Sequence, residues 1–188
     1  MFSIRNLNKS YNIKILDNLS YEFYEGKLYV IKGSNGSGKS TLFKIISNII
    51  SKDSGEFDDK RISFLPDKFI IPNMIMASSF LDDIIDIDAK EVMKKYNLID
   101  KLAGNLSKGN KQKLGLITTI YTDADIYIFD EGIDGLDDYT KKIFFNDLNS
   151  LLNKNKIIIL SLHEEINLDF LNPVYLYLKD GKLYEKKD

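Results

Sequence analysis

The chain reads Gly33-Ser34-Asn35-Gly36-Ser37-Gly38-Lys39-Ser40-Thr41 in its first quarter. This segment fits the phosphate-binding loop pattern G-x-x-x-x-G-K-[ST] at every fixed position and has an additional glycine at 36. Glycines let the backbone form a tight nest in which several N–H groups face one anion. In such a loop Lys39 contacts the β- and γ-phosphates, and the Ser40 hydroxyl can bind Mg²⁺. The sequence therefore predicts a site for the phosphates of a nucleotide, with Mg²⁺ bound beside them.

The flanking sequence supports this interpretation over a flexible Gly/Ser loop that binds nothing. Leu28-Tyr29-Val30-Ile31 is typical of a buried strand, and the residues from Lys39 to about Ile50 are typical of a helix with an apolar stripe. Strand, glycine loop and helix follow one another in the order that phosphate binding needs. The positive end of the helix then faces the same phosphates.

Composition limits the class of protein. The chain has 188 residues, of which 44% are hydrophobic, and its net charge is −2, so we expect one domain over 1–188 and no nucleic-acid partner. It has no cysteine, which excludes disulfides and thiolate metal sites. Apolar runs such as Ile157 to Leu160 are too short to span a membrane, so a function there needs a spanning partner. Arg5 and Arg61 are the only arginines, which leaves almost nothing for an arginine clamp on phosphates.

Hydrophobic patterning predicts an α/β fold: a P-loop NTPase core with a mostly parallel central sheet, an N-terminal antiparallel β subdomain and a short helical insert over 67–106. Strands are expected at 2–4, 19–24, 28–32, 61–65, 126–129, 156–161, 174–178 and 182–185. The turn at 25–27 is expected to pair the second and third strands as an antiparallel hairpin, and 51–55 is expected to be a polar turn. Helices are expected at 39–50, 78–86, 89–97 with Asp88 as its cap, 107–121 and 138–152.

Asp130 and Glu131 come directly after the apolar run Ile126-Tyr127-Ile128-Phe129. Such a run is typical of a central parallel strand, whose carboxyl end borders the ligand site in open α/β sheets. One carboxylate can hold Mg²⁺ and the other can polarise an attacking water. The alternative is that both residues merely end the strand.

About twenty residues earlier, Leu106-Ser107-Lys108-Gly109-Asn110-Lys111-Gln112-Lys113 resembles the signature motif of ABC-type ATPases. Order and spacing agree from Tyr11 to His163. The resemblance implies that Tyr11 stacks on the base, Asp130 lies on the Mg²⁺ side and Glu131 is the catalytic glutamate. It further implies that His163 contacts the γ-phosphate and that 135–137 form the loop crossing a dimer interface.

The same resemblance implies a homodimer or heterodimer in which Ser107 and Gly109 of one subunit close over ATP on the other. It implies a separate transmembrane permease, a position on the inner face of the cell membrane and transport coupled to ATP hydrolysis. Phe69 to Met76, with Phe80, is the expected docking surface; the alternative is that this segment packs within the insert. The short chain favours export.

Three residues depart from the family pattern. Lys108 stands where a second glycine is usual, and Asn110 stands where glutamine is usual. Asp67 replaces a glutamine that senses Mg²⁺ and links the site to the permease. Asp67 is therefore a further candidate metal ligand, and its charge puts coupling in doubt more than ATP binding.

Three other functions fit the sequence less well. A soluble ABC ATPase acting on nucleic acid or ribosomes usually has tandem domains, coiled-coil inserts or basic arms, which this sequence lacks. A P-loop kinase needs several arginines over the transferred phosphate. A domain that binds ATP without turnover is disfavoured by Lys39, Asp130, Glu131 and His163, although Asp67 keeps it open.

Overall fold

The computed structural model describes residues 1–133, 135–162 and 166–185 of the chain. The strands in these residues are β1 (Phe2–Ser10), β2 (Lys14–Phe23), β3 (Leu28–Lys32), β4 (Ser54–Phe57), β5 (Ile62–Leu65), β6 (Ile126–Asp130), β7 (Ile157–Ser161), β8 (Val174–Lys179) and β9 (Lys182–Glu185). The helices are α1 (Lys39–Ile46), α2 (Ala77–Asp82), α3 (Ala89–Lys95), α4 (Lys108–Tyr121) and α5 (Asp138–Asn153). Short 3₁₀ turns lie at Ala103–Asn105 and Asp169–Leu171.

A six-stranded sheet with the order β5-β6-β7-β3-β8-β9 forms the core, and only β9 runs antiparallel to its neighbour. Every residue of β6 and β7 is buried, because these strands have packed side chains on both faces. One face packs on α1 and the N-terminal strands, and the other packs on α4, α5 and the insert. The predicted α/β class with a mostly parallel sheet is confirmed. The three central strands, β6, β7 and β3, run parallel, so their carboxyl ends lie at the same edge of the sheet.

The predicted hairpin between the second and third strands is wrong. β2 pairs with β1 in a separate three-stranded sheet of order β2-β1-β4, whereas β3 lies between β7 and β8. The reason is burial: four of the five residues of β3 are buried, and only the central sheet covers both faces of such a strand. The turn at 25–27 thus carries the chain from one sheet into the other.

The polar segment predicted to be a turn contains the start of β4, which pairs antiparallel with β1. Gly55 has φ +92°, and a Cβ on it would lie 2.4 Å from the carbonyl oxygen of Asn6. Only glycine permits this approach of the two backbones. β4 offers a single large apolar residue, Phe57, so its sequence shows no alternation.

The insert contains two short helices, as predicted, and Asp88 caps α3 by accepting a hydrogen bond from the Lys90 amide at 2.8 Å. Residues 69–76 form neither a helix nor a strand, although Met76 makes an isolated bridge with Leu102. Both α1 and α2 end about four residues earlier than expected. Asn48 adopts a left-handed conformation (φ +56°) just after α1, which stops that helix.

A buried carboxylate joins the insert to the core. Asp147, on α5, accepts hydrogen bonds from the hydroxyls of Tyr96 at 2.7 Å and Tyr121 at 2.9 Å and forms an ion pair with Lys95. Tyr96 is fully buried, and burial together with the negative charge of Asp147 raises its pKa. Burial alone would lower the pKa of Lys95, but its bonds to Asp147 and Tyr121 outweigh that effect and raise it. The end of α3 is thereby held against α4 and α5.

Candidate functional site

The loop from Gly33 to Gly38 leaves the end of β3 and enters α1 at Lys39. A Cβ on Gly33 would lie 2.8 Å from the carbonyl oxygen of Leu178, and one on Gly38 would lie 2.8 Å from a methyl of Ile15. Gly38, the N-cap of α1, also has φ +105°, which side chains rarely tolerate. Close packing therefore requires glycine at both positions, and backbone conformation requires it at Gly38 as well.

Lys39 extends across the mouth of this loop. Its Nζ donates to the carbonyl oxygens of Gly33 at 2.8 Å and Ser34 at 3.3 Å, and the residue is only 8% exposed. In the described part of the chain it forms no ion pair. The buried Ser37 hydroxyl has no hydrogen-bond partner there either. A buried ammonium, an unused hydroxyl and the first-turn N–H groups of α1 together form a set of donors that fits a polyphosphate.

Asp130 and Glu131 follow β6 at the same edge of the sheet. Asp130 is 2% exposed, and its Oδ1 accepts a hydrogen bond from the Ser161 hydroxyl at 2.7 Å. Glu131 has φ +57°, a left-handed conformation, and its N–H donates to the Ser161 hydroxyl oxygen at 3.1 Å. Ser161 was missed in the sequence analysis, although a polar residue that ends an apolar strand was a usable signal.

Glu131 and the phosphate loop border one cleft. This cleft has a volume of about 490 Å³ and is lined by Ile15, residues 35–41 and Glu131. The structure therefore brings Lys39, Ser40 and Glu131 together, as the sequence predicts. A carboxylate that faces a phosphate-binding loop across a cleft can activate a water molecule against the terminal phosphate.

Asp67 borders a different cavity. This second cavity, of about 520 Å³, lies between the start of the insert and α4, and its polar lining includes Asp67, Lys108 and Gln112. Glu131 lines it as well, so the two cavities meet at that side chain. Lys39 and Ser40 do not line it. Asp67 thus lies beside the carboxylate rather than beside the phosphate loop.

Ser107 and Gly109 mark the start of α4. The Ser107 hydroxyl caps the helix by accepting a hydrogen bond from the Asn110 amide at 3.3 Å. A Cβ on Gly109 would meet no atom within 4 Å, so its backbone is open to an approaching group. Neither residue lines the cleft beside Lys39. Their own chain leaves both residues available to a ligand or partner.

The first turns of α4 are bonded to the segment that follows Glu131. Gln112 Nε2 donates to the carbonyl oxygen of Gly132 at 3.0 Å, and Lys113 forms an ion pair with Asp137 at 3.0 Å. Asp137 also caps α5 by accepting from the Thr140 amide at 2.7 Å. The Thr140 N–H and the Lys113 ammonium lower the pKa of Asp137 to about 2, so the carboxylate stays ionised at neutral pH.

Tyr11 lies in the exposed bend between β1 and β2. It is 60% exposed, and the Lys9 ammonium lies 5.3 Å from its ring centroid. The cleft next to the phosphate loop, of about 740 Å³, is instead lined by Ile13, Tyr177 and Tyr184, together with residues 33–37. Tyr177 and Tyr184 could not be predicted to line this cleft, because nothing in the order of residues brings a C-terminal hairpin beside this loop.

His163, a predicted site residue, lies outside the described residues. In the described ranges 1–133, 135–162 and 166–185, no group of three or more acidic or histidine side chains is arranged to hold a metal ion. The Ser40 hydroxyl lines the phosphate cleft, and Asp130 ends β6 next to Glu131; both offer oxygen atoms of the kind that Mg²⁺ binds. Among these residues no helix has the length and apolar character needed to cross a bilayer.

Comparison with known proteins places these features in context. The family profile described as "ABC transporter" matches residues 16–134. An uncharacterized ABC transporter ATP-binding protein of Methanocaldococcus jannaschii is 30% identical, over 95% of this chain and 74% of that protein. A cytochrome c biogenesis ATP-binding export protein of Reclinomonas americana is 29% identical, over 82% of this chain and 80% of that protein.

A solved structure shares the fold. It is described as the dimeric structure of a post-hydrolysis state of an ATP-binding cassette bound to ADP and phosphate. It superposes with a TM-score of 0.85 at 23% identity and covers 100% of this chain and 98% of that one. The two-sheet architecture described above is therefore that of an ATP-binding cassette.

Proposed function

The chain belongs to the ABC transporter family as an ATP-binding, ATP-hydrolysing subunit, and we propose that it powers an exporter through ATP-dependent pairing of two such subunits. The observation that carries this proposal is the cleft shared by the phosphate loop and Glu131. In the proposal Lys39 binds the β- and γ-phosphates, and Glu131 polarises the attacking water. Tyr11 stacks on the base, and His163 contacts the γ-phosphate.

Mg²⁺ is the expected metal, since the available ligands are oxygens. The Ser40 hydroxyl and the Asp130 carboxylate would hold it, with Asp67 a further candidate at the far side of Glu131. When bound, Mg²⁺ neutralises charge on the phosphate oxygens. The protein's own contribution is to fix Asp130 in a buried position and to aim Lys39 and the α1 amides at the same anion.

Pairing of two subunits is supported by the location of Ser107 and Gly109. Both residues are away from the phosphate cleft of their own chain, yet Ser107 offers a hydroxyl and Gly109 an open backbone. We propose that they complete the site of a second subunit. The partner is a second copy or a similar cassette, and closing the two would exclude water from the reaction.

Mixing two inactive variants tests the shared site. Lys39→Ala removes the phosphate ligand, and Ser107→Arg blocks the signature segment, so each variant alone should hydrolyse almost no ATP. A mixed dimer keeps one complete site, built from the Lys39 of one chain and the Ser107 of the other. With about half of the dimers mixed, up to about a quarter of wild-type phosphate release should return.

The matched control mixes Lys39→Ala with the double variant Lys39→Ala/Ser107→Arg, in which no complete site can form. Activity recovered only in the first mixture supports sites shared between chains. No recovery, with both variants folded and able to pair, would contradict a single shared site as the unit that hydrolyses ATP.

The insert offers the proposed docking surface for a transmembrane permease. Ile70 and Met74 are 88% and 84% exposed, whereas Phe69 and Phe80 pack edge to face at 6.2 Å. Within residues 69–76, Phe69 and Ile71 pack toward the core, whereas Ile70 and Met74 face outward. Two such exposed apolar side chains in one short segment favour burial against a partner.

We expect Ile70→Asp/Met74→Asp to release the protein from the membrane fraction of its own cells, because two charges would then be buried at the contact. ATP binding should be unchanged, since neither residue lines the phosphate cleft. Ile49→Asp, at another exposed apolar position beyond α1, is the control and should stay with the membrane. Equal membrane association of both variants would place the contact elsewhere.

Export is proposed because a relative bears an export name, although another relative is named for ribose import. Under the proposal the subunit lies on the inner face of the membrane. Inside-out vesicles expose it to added ATP. ATP-dependent accumulation of cargo inside them supports export, and ATP-dependent loss of preloaded cargo indicates import.

A further inference from the structure

Ser161 is the last residue of β7, where it ends the run Ile157-Ile158-Ile159-Leu160. It is 1% exposed and lies opposite Asp130 in the parallel pairing of β6 and β7. A buried hydroxyl in an otherwise apolar strand is costly unless both its proton and its lone pairs find partners. Its partners therefore show what this position is built to hold.

The hydroxyl bonds to both residues that end β6. It donates its one proton to Asp130 Oδ1 at 2.7 Å, and its oxygen accepts the N–H of Glu131 at 3.1 Å. The carbonyl oxygen of Ser161 lies 3.3 Å from the same N–H, a longer contact. One side chain thus contacts a carboxylate on one residue and the backbone of the next.

These contacts act on two different degrees of freedom. The bond to Oδ1 fixes the rotation of the Asp130 carboxyl group and leaves its other oxygen for a further ligand. The bond to the Glu131 N–H holds a residue whose φ is +57°, a conformation that a non-glycine residue keeps only where its surroundings impose it. Glu131 in this conformation lines the cleft beside the phosphate loop.

We propose that Ser161 is a positioning residue for ATP hydrolysis: its hydroxyl sets the Asp130 carboxylate for the metal and the Glu131 backbone for the attacking water. This inference rests on the roles proposed above for Asp130 and Glu131. Ser161 touches neither nucleotide nor metal in this scheme. Groups of this kind typically change metal affinity or activity by about 10–100-fold when removed.

A matched pair of variants isolates the hydroxyl. Ser161→Thr keeps the hydroxyl and adds a methyl group. Ser161→Val adds the same methyl group and also replaces the hydroxyl by a second methyl group. Two quantities are measured for each purified protein: the ATP hydrolysis rate, and the gain in ATP affinity when Mg²⁺ replaces EDTA. The second quantity needs no turnover. Thermal unfolding shows that both proteins are folded.

We expect Ser161→Val to lose about 10–100-fold in hydrolysis rate and to lose most of the Mg²⁺-dependent gain in affinity. Ser161→Thr should stay within about threefold of wild type, and ATP affinity in EDTA should stay within about twofold for both. Equal behaviour of folded Thr and Val variants would overturn the proposal. So would a Val variant that binds ATP poorly in EDTA, because the residue would then serve the fold of the phosphate loop.

If the added methyl group unfolds both proteins, Ser161→Ala decides the question with the same two measurements. Wild-type hydrolysis and a wild-type Mg²⁺ gain in Ser161→Ala would overturn the proposal, and loss of both with intact binding in EDTA would support it. Glu131→Gln is assayed in parallel. Undiminished hydrolysis in Glu131→Gln would refute the proposed catalytic role independently of what Ser161 does.

Discussion

Replacing Lys39 by alanine should abolish ATP binding. Among the described residues that line the phosphate cleft, Lys39 is the one cation, and its ammonium bonds there only to the carbonyl oxygens of Gly33 and Ser34. A charged hydrogen bond to two phosphates, once lost, should weaken ATP binding by about 100-fold or more, or roughly 3 kcal/mol. Equilibrium binding of ATP in the presence of Mg²⁺ measures this directly.

The control for this variant is Lys44→Ala. Lys44 lies in the last turn of the same helix, and its removal takes away the same charge without touching the cleft. Its ATP affinity should stay within about twofold of wild type. Tight ATP binding retained by Lys39→Ala would remove the phosphate loop from the mechanism.

The second large effect is expected for Glu131→Gln. Glutamine has nearly the same shape as glutamate and would occupy the same left-handed backbone position. The change therefore removes the carboxylate charge and little else. Loss of a general base typically slows hydrolysis by about 100- to 10,000-fold, whereas ATP binding should persist. An ATP-bound dimer should then accumulate, because the bound nucleotide is no longer consumed.

Two measurements check this result: single-turnover release of phosphate, and molecular mass in solution with saturating ATP and Mg²⁺. Glu91→Gln, on the exposed surface of α3, is the control and should behave as wild type. A Glu131→Gln protein that stays monomeric with saturating ATP would contradict self-pairing. Pairing with a different cassette would then become the better interpretation.

The sequence predicts those parts of the site in which a short run of neighbouring residues is compatible with only one local structure. Gly33 and Gly38 lie where backbone approach and a positive φ exclude side chains, so the loop could be located from its glycines. The apolar run that ends at Asp130 could occupy only a strand buried on both faces. In each case the constraint is carried by residues next to one another in the chain.

What could not be predicted depends on contacts between distant segments. β2 and β3 follow each other through a four-residue connection, yet they enter different sheets, because pairing partners are chosen by burial in the whole fold. Ser161 acquires its significance only when β7 pairs with β6. Likewise Tyr177 and Tyr184 reach the phosphate loop through a strand order that no local pattern specifies. For His163, the predicted role stays a prediction.

The bonds between α4 and the segment after Glu131 have a thermodynamic consequence. Gln112 and Lys113 join the turn that begins at Ser107 to Gly132 and Asp137. In the proposed dimer, the nucleotide of a second subunit binds at Ser107 and can favour one arrangement of α4. Because α4 is bonded to the segment after Glu131, that nucleotide then also favours one arrangement around Glu131. Linkage makes such a preference reciprocal, so a nucleotide at either site of a dimer would change affinity at the other by the same factor.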